Sequence, residues 1–132
     1  MKIAVIADIH SNYLVLENAL AQLDVTKPDA VIFLGDFVSD CPRPERTMKL
    51  VCQAKNAFEC YFVRGNREDY LLERRRGLHP EWSYSSSTGS LLYTYEHLTE
   101  RDLDFFESMP ASLDISFDNC PVITACHGSP DR

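Results

Sequence analysis

Residues 1–10 read MKIAVIADIH, an apolar run with β-branched Ile3, Val5 and Ile6, closed by the polar residues Asp8 and His10. Such a run predicts a buried strand. Strand side chains alternate with period two, so Asp8 and His10 are expected on the same side of the chain. Paired ligand-type side chains at the end of an apolar strand point to a site at the carboxyl edge of a parallel sheet.

The construction repeats outward from this stretch. Ser11 or Asn12 is suited to cap a helix whose apolar stripe is Tyr13, Leu16, Leu20 and Leu23, and Lys27-Pro28-Asp29 ends it. A second unbroken apolar run, Ala30 to Leu34, ends in Gly35-Asp36. This is a βαβ unit with parallel strands. A helix from Glu45 to about Lys55, with Met48, Val51 and Cys52 facing inward, leads to a third strand over 58–63. That strand ends in Arg64-Gly65-Asn66-Arg67-Glu68. Asp8, Asp36 and Asn66 thus recur at about thirty residues, the length of one βα step.

Beyond them, a helix is expected over 69–76, stopped by Gly77, then an irregular loop over 77–89 and a helix over 90–97. A further helix over 99–109 would have Thr99 as N-cap, Asp102 at the capping-box position, and Leu103 with Phe106 buried. Leu113, Ile115 and Phe117 alternate as a strand. A turn at Asp118-Asn119 and a returning strand over 121–126 make a hairpin that ends in His127-Gly128.

The 132 residues are expected to form one domain, with 45% hydrophobic and 25% charged residues, ordinary values for a globular chain. A formal charge of -7 argues against a general nucleic-acid partner, although bound cations would alter the local sign. No apolar stretch approaches the roughly 20 residues of a membrane span, and Asp8 interrupts the first apolar run too early for a signal peptide. The five cysteines, Cys41, Cys52, Cys60, Cys120 and Cys126, show no C-x-x-C spacing. They read as reduced, mostly buried thiols of a cytoplasmic protein.

Collected, the polar residues at strand ends are Asp8, His10, Asp36, Asn66 and His127. Two carboxylates, two imidazoles and an amide oxygen suit divalent Mn, Fe, Zn or Mg. A carboxylate can give one oxygen to each of two ions, and Asp36, central in the series, is the natural bridge. Such a pair can bind a water, lower its pKa and clamp a phosphoryl group for in-line attack.

The motifs D-x-H at Asp8-Ile9-His10, G-D at Gly35-Asp36, G-N-x-[ED] from Gly65 to Glu68 and H-G at His127-Gly128 resemble the calcineurin-like metallophosphoesterase superfamily, especially its small bacterial phosphodiesterase-like members. The resemblance implies a four-layered α/β/β/α sandwich and hydrolysis of phosphomonoesters or phosphodiesters. By it, Asp8 and His10 would bind one metal, Asn66 and His127 a second, and Asp36 both, with manganese favoured and a small phosphoester as substrate.

Three departures qualify it. Arg67 stands where the family usually has a histidine; it can stabilise phosphoryl charge but is too basic to act as a general acid. After Gly35-Asp36 the family's next acid is displaced from the place of Ser39 to Asp40. The family's last motif, G-H-x-H, is absent, so the expectation is an N-terminal portion of the sandwich belonging to a longer product. The competing expectation is a non-catalytic scaffold on the same fold. Arg43 is a weaker candidate for the pocket, and His79, His97 and the cluster Arg74 to Arg76 are expected to be structural or solvated. The sequence does not decide between a monomer and a homo-oligomer.

Overall fold

The computed structural model describes residues 1–130. Strands β1 (Ile3–Ile6), β2 (Ala30–Phe33) and β3 (Cys60–Phe62) form a parallel sheet in the order β1-β2-β3, with Ile3 opposite Ala30 and Val31 opposite Cys60. Helices α1 (Tyr13–Thr26) and α2 (Pro44–Ala57) connect them. After β3 come α3 (Asn66–Arg75), α4 (Gly89–Glu96) and α5 (Glu100–Ser108), then an antiparallel hairpin of β4 (Ser112–Ile115) and β5 (Ile123–Cys126).

The central strand β2 is buried along its whole length and serves two faces. Val31 and Phe33 join the cluster of the helices, with Leu16, Met48, Val51, Leu72 and Phe106. Ile32 joins a smaller cluster with Val63, Ile115 and Ala125, against which Leu113, Phe117 and Ile123 also pack. Period-two alternation therefore sorts β2 between a helical layer and the hairpin, and a one-residue slip would exchange the two sets. Each such buried side chain contributes about 2 kcal/mol. Three layers of the α/β/β/α sandwich, α/β/β, are built by the described residues.

Local chemistry explains the helix ends. Asn12 caps α1, its Oδ1 accepting from the Val15 N–H at 3.3 Å, and Lys27 closes that helix in a left-handed conformation. α2 starts with Pro44, whose missing N–H costs nothing in the first turn. Thr99 and Asp102 form the reciprocal capping box of α5.

Several sequence expectations are corrected. β1 is an edge strand, not a buried one, and Val5 is 59% exposed. β3 is shorter than 58–63. α3 begins at Asn66 rather than Asp69, because the Glu68 side chain accepts the N–H of Gly65 and caps the helix earlier. All five cysteines are free thiols, but none is fully buried, and Cys52 faces solvent rather than the core. Arg74 to Arg76 are engaged locally. Arg75 and Arg76 pair with Asp104 and Glu107 on α5, and Arg74 hydrogen-bonds the His79 carbonyl. Among the described residues, no helix is long and apolar enough to cross a membrane.

Candidate metal centre

The loops leaving β1, β2 and β3 meet at the carboxyl edge of the sheet. Parallel pairing continues past the strands: the N–H groups of Asp8, His10 and Ser11 donate to the carbonyls of Gly35, Asp36 and Phe37 at 3.2, 3.0 and 2.9 Å. Asp8, His10 and Asp36 nevertheless have positive φ, at 54°, 48° and 54°. A non-glycine residue there is strained, and such strain persists only where the surroundings over-determine it. The expected strand alternation is therefore not what unites Asp8 and His10, since β1 has already ended at Ile6.

Backbone contact sets the spacing of the second and third loops. A Cβ on Gly35, which sits at φ 83°, would lie 2.4 Å from the Gly65 nitrogen, and a Cβ on Gly65 would lie 2.2 Å from Oδ1 of Asp36. Both positions exclude any side chain. Glu68, fully buried, then ties the loops together. Its Oε2 accepts the N–H groups of Asp36 and Gly65 at 2.8 and 2.9 Å, and its Oε1 accepts that of Phe37 at 2.8 Å. Burial, followed by the Asp36 charge, raises the pKa of Glu68 to about 7 against the opposing pull of the three N–H donors.

On this floor Asp36 is buried. Its Oδ1 accepts the Arg67 N–H at 2.9 Å, while its Oδ2 lies 3.7 Å from Nε2 of His10 and 3.5 Å from Nε2 of His127. Nε2 of His10 is also 3.6 Å from Oδ1 of Asp8, and Nε2 of His127 is 3.1 Å from Oδ1 of Asn66. All five expected ligands are thus linked around one carboxylate. Ligand-type atoms of Asp8, Asp36 and His127 lie within 4.8 Å of one another.

The donor set fits a cation. Nδ1 of His127 lies 2.7 Å from the Leu34 carbonyl, an acceptor, so the ring's proton belongs on Nδ1. In the neutral ring Nε2 then presents a lone pair to the oxygens of Asp36 and Asn66, an assembly of acceptors that a cation completes. A backbone carbonyl orienting the far nitrogen is the usual support of a metal-binding imidazole.

Sequence reasoning named two further participants without giving them a role. Glu68 lies within the quoted motif, but its partners are 31 and 32 residues away and no local pattern discloses them. Asp40, one place beyond the expected acid, brings Oδ2 to 3.2 Å from Nδ1 of His10 and 3.5 Å from the Arg67 guanidinium. Arg43 instead pairs with Glu45. His79 pairs with Glu73 and stacks on Trp82, and His97 stacks on Tyr93. A depression of about 830 Å³ between α2 and α5 has no convergent ligand set among the described residues. The convergent ligand-type side chains lie at the strand ends instead.

Comparison with known proteins bears on the fold and the family. A hypothetical protein of Pyrococcus horikoshii OT3 superposes with a TM-score of 0.83 at 19% identity, covering 99% of this chain and 56% of its own. A metallophosphoesterase from Sphaerobacter thermophilus gives 0.63 at 27% identity, covering 89% and 44%. The phosphoesterase Yfce of E. coli gives 0.60 at 17% identity, covering 99% and 61%. The chain therefore spans about half the length of these structures. Curated proteins contain no match. The calcineurin-like phosphoesterase family matches residues 1–131, and the chain belongs to that family.

Proposed function

We propose that residues 1–132 belong to a single phosphoesterase domain, as the N-terminal portion of it. It would hold two divalent ions, manganese foremost, and hydrolyse a small phosphomonoester or phosphodiester. The observation that carries the reading is the meeting of His10 and His127 on one oxygen of Asp36, at 3.7 and 3.5 Å. Asp8 and His10 would hold one ion, Asn66 and His127 the other, and Asp36 both. When bound, the ions would supply Lewis acidity and a water acidified towards neutrality.

The chain's own residues do the rest. Glu68 and the Gly35–Gly65 contact hold Asp36 in place, so little reorganisation accompanies reaction. Leu34 keeps the His127 proton on Nδ1 and the lone pair towards the site. Arg67 would hold a phosphoryl oxygen through charge-assisted hydrogen bonds while remaining cationic, so the leaving alcohol takes its proton from elsewhere. The metal-binding residues are expected to act on a soluble small substrate, in the cytoplasm.

The test is Mn²⁺ titration with elemental analysis of the wild type and Asp36→Asn, followed by assay of 4-nitrophenyl phosphate and bis(4-nitrophenyl) phosphate. About two ions per chain are expected, with affinity falling at least about 100-fold in the variant. A folded wild-type chain that takes up no metal would overturn the enzyme reading and favour a scaffold.

A further inference from the structure

Asp40 separates the metal centre from a second feature. Its Oδ2 faces His10 and Arg67, whereas its Oδ1 lies 3.4 Å from the Ser90 hydroxyl at the start of α4. On that other side is a cleft of about 210 Å³ lined by Asp40, Cys41, Pro42, Ser90 and Tyr93. The backbone carrying Asp40 is fixed, since the Cys41 N–H donates to the His10 carbonyl at 3.1 Å and the Ser39 N–H to the Ser11 hydroxyl at 3.0 Å.

Resting on the phosphoesterase reading, the geometry points to this cleft as the seat of the substrate's organic group, and to an uncharged aromatic ring as that group. Asp40 presents Oδ2 to Arg67 and Oδ1 to Ser90 on the cleft side, so a substituent on a phosphoryl group held by Arg67 would pass this one carboxylate to reach the cleft. The volume is below the roughly 300–1,000 Å³ of sites for drug-sized ligands, so the cleft takes one ring rather than a whole nucleoside. Tyr93, whose ring stacks on His97, and Pro42 line the cleft with apolar surface that a second ring can pack against, and Ser90 offers one polar contact. The lining contains a carboxylate and no lysine or arginine, and the nearby Arg67 is taken up by the phosphoryl group already held. A second phosphate is therefore repelled. Aryl phosphates and phosphodiesters are admitted, and pyrophosphate-type substrates are not.

The test uses non-hydrolysable probes on the Mg²⁺-supplemented full chain, read by amide NMR shifts and binding isotherms. Phenylphosphonate is expected to bind at least 10-fold more tightly than methylphosphonate and to shift Cys41, Ser90 and Tyr93. Methylenediphosphonate is expected to gain nothing over methylphosphonate. Tyr93→Ala should bring phenylphosphonate to within about 3-fold of methylphosphonate, and Tyr93→Leu serves if the alanine variant does not fold. Equal affinity of the two monophosphonates, shifts confined elsewhere, or binding of neither overturns the inference. Methylphosphonate binding and normal metal uptake without the phenyl gain would overturn it alone. Loss of metal uptake as well would overturn the phosphoesterase reading with it.

Discussion

The floor and the rim of the candidate metal centre are made of similar residues under opposite mechanical conditions. On the floor, Asp36, Gly35, Gly65 and Glu68 are held by backbone contact and by three N–H groups converging on one buried carboxylate. On the rim, Asp8, His10, Asp40 and His127 meet mainly side chain to side chain, and the Asp8 side chain is 60% exposed. Floor residues thus answer to folding before they answer to ligand, whereas rim residues can lose their ligand role with little effect on the fold. A shared motif does not mean a shared function for its members.

The difference can be broken by substitution. Gly65→Ala places a methyl group 2.2 Å from Asp36, and should cost at least about 3 kcal/mol in denaturant unfolding. A smaller loss would mean the loops are not locked. Glu68→Gln leaves buried N–H groups facing an amide that accepts at only one of its ends, whereas the neutral acid present at pH 5 keeps a lone pair on both oxygens. It should cost about 3 kcal/mol and lower Tm by about 10 °C in metal-free protein at pH 5.

The pH dependence sharpens the point. The folded pKa of Glu68, about 7, lies above its ordinary 4.5, so the folded state binds more protons between those values. The stability contributed by that protonation is present at low pH and is lost as pH rises towards and through 7. The gap between wild type and Glu68→Gln should therefore narrow from pH 5 to pH 8; a constant gap would remove the assigned burial effect.

Rim variants should behave differently. Asp8→Asn should weaken Mn²⁺ binding about 10-fold by titration while leaving the metal-free Tm unchanged. A fall in the metal-free Tm as large as that of Glu68→Gln would erase the distinction. The smallest effect is expected outside both regions, at His79, whose pKa is raised chiefly by its hydrogen bond to Glu73. That stabilisation is present when the imidazole is protonated and lost as pH rises through its folded pKa. His79→Gln should slightly lower Tm at pH 6 and not at pH 9.

Much of the rim was legible in the sequence because ligand-type residues followed apolar strands at one βα spacing. The route was partly wrong: Asp8 and His10 converge through left-handed backbone, not strand alternation. The helix caps at Asn12 and Thr99 were legible because capping is local. Glu68 was legible as a motif letter but not as a buried tie, since burial depends on chain segments more than thirty residues away. Cys52 misled because apolar spacing on a helix does not say where the neighbouring helix stops covering it. Asp40 escaped because its two-sided role depends on α4, fifty residues later.

The Gly35–Gly65 contact has a consequence for tolerance. Where two loops are spaced by side chains, thermal rotamer exchange blurs the distance between the groups they carry. Here the spacer is backbone against backbone, with room for no atom larger than hydrogen. The separation between the β2 and β3 loops is then set by van der Waals contact of rigid backbone rather than by an average over side-chain conformers, and Asp36 and Asn66 inherit that fixed gauge.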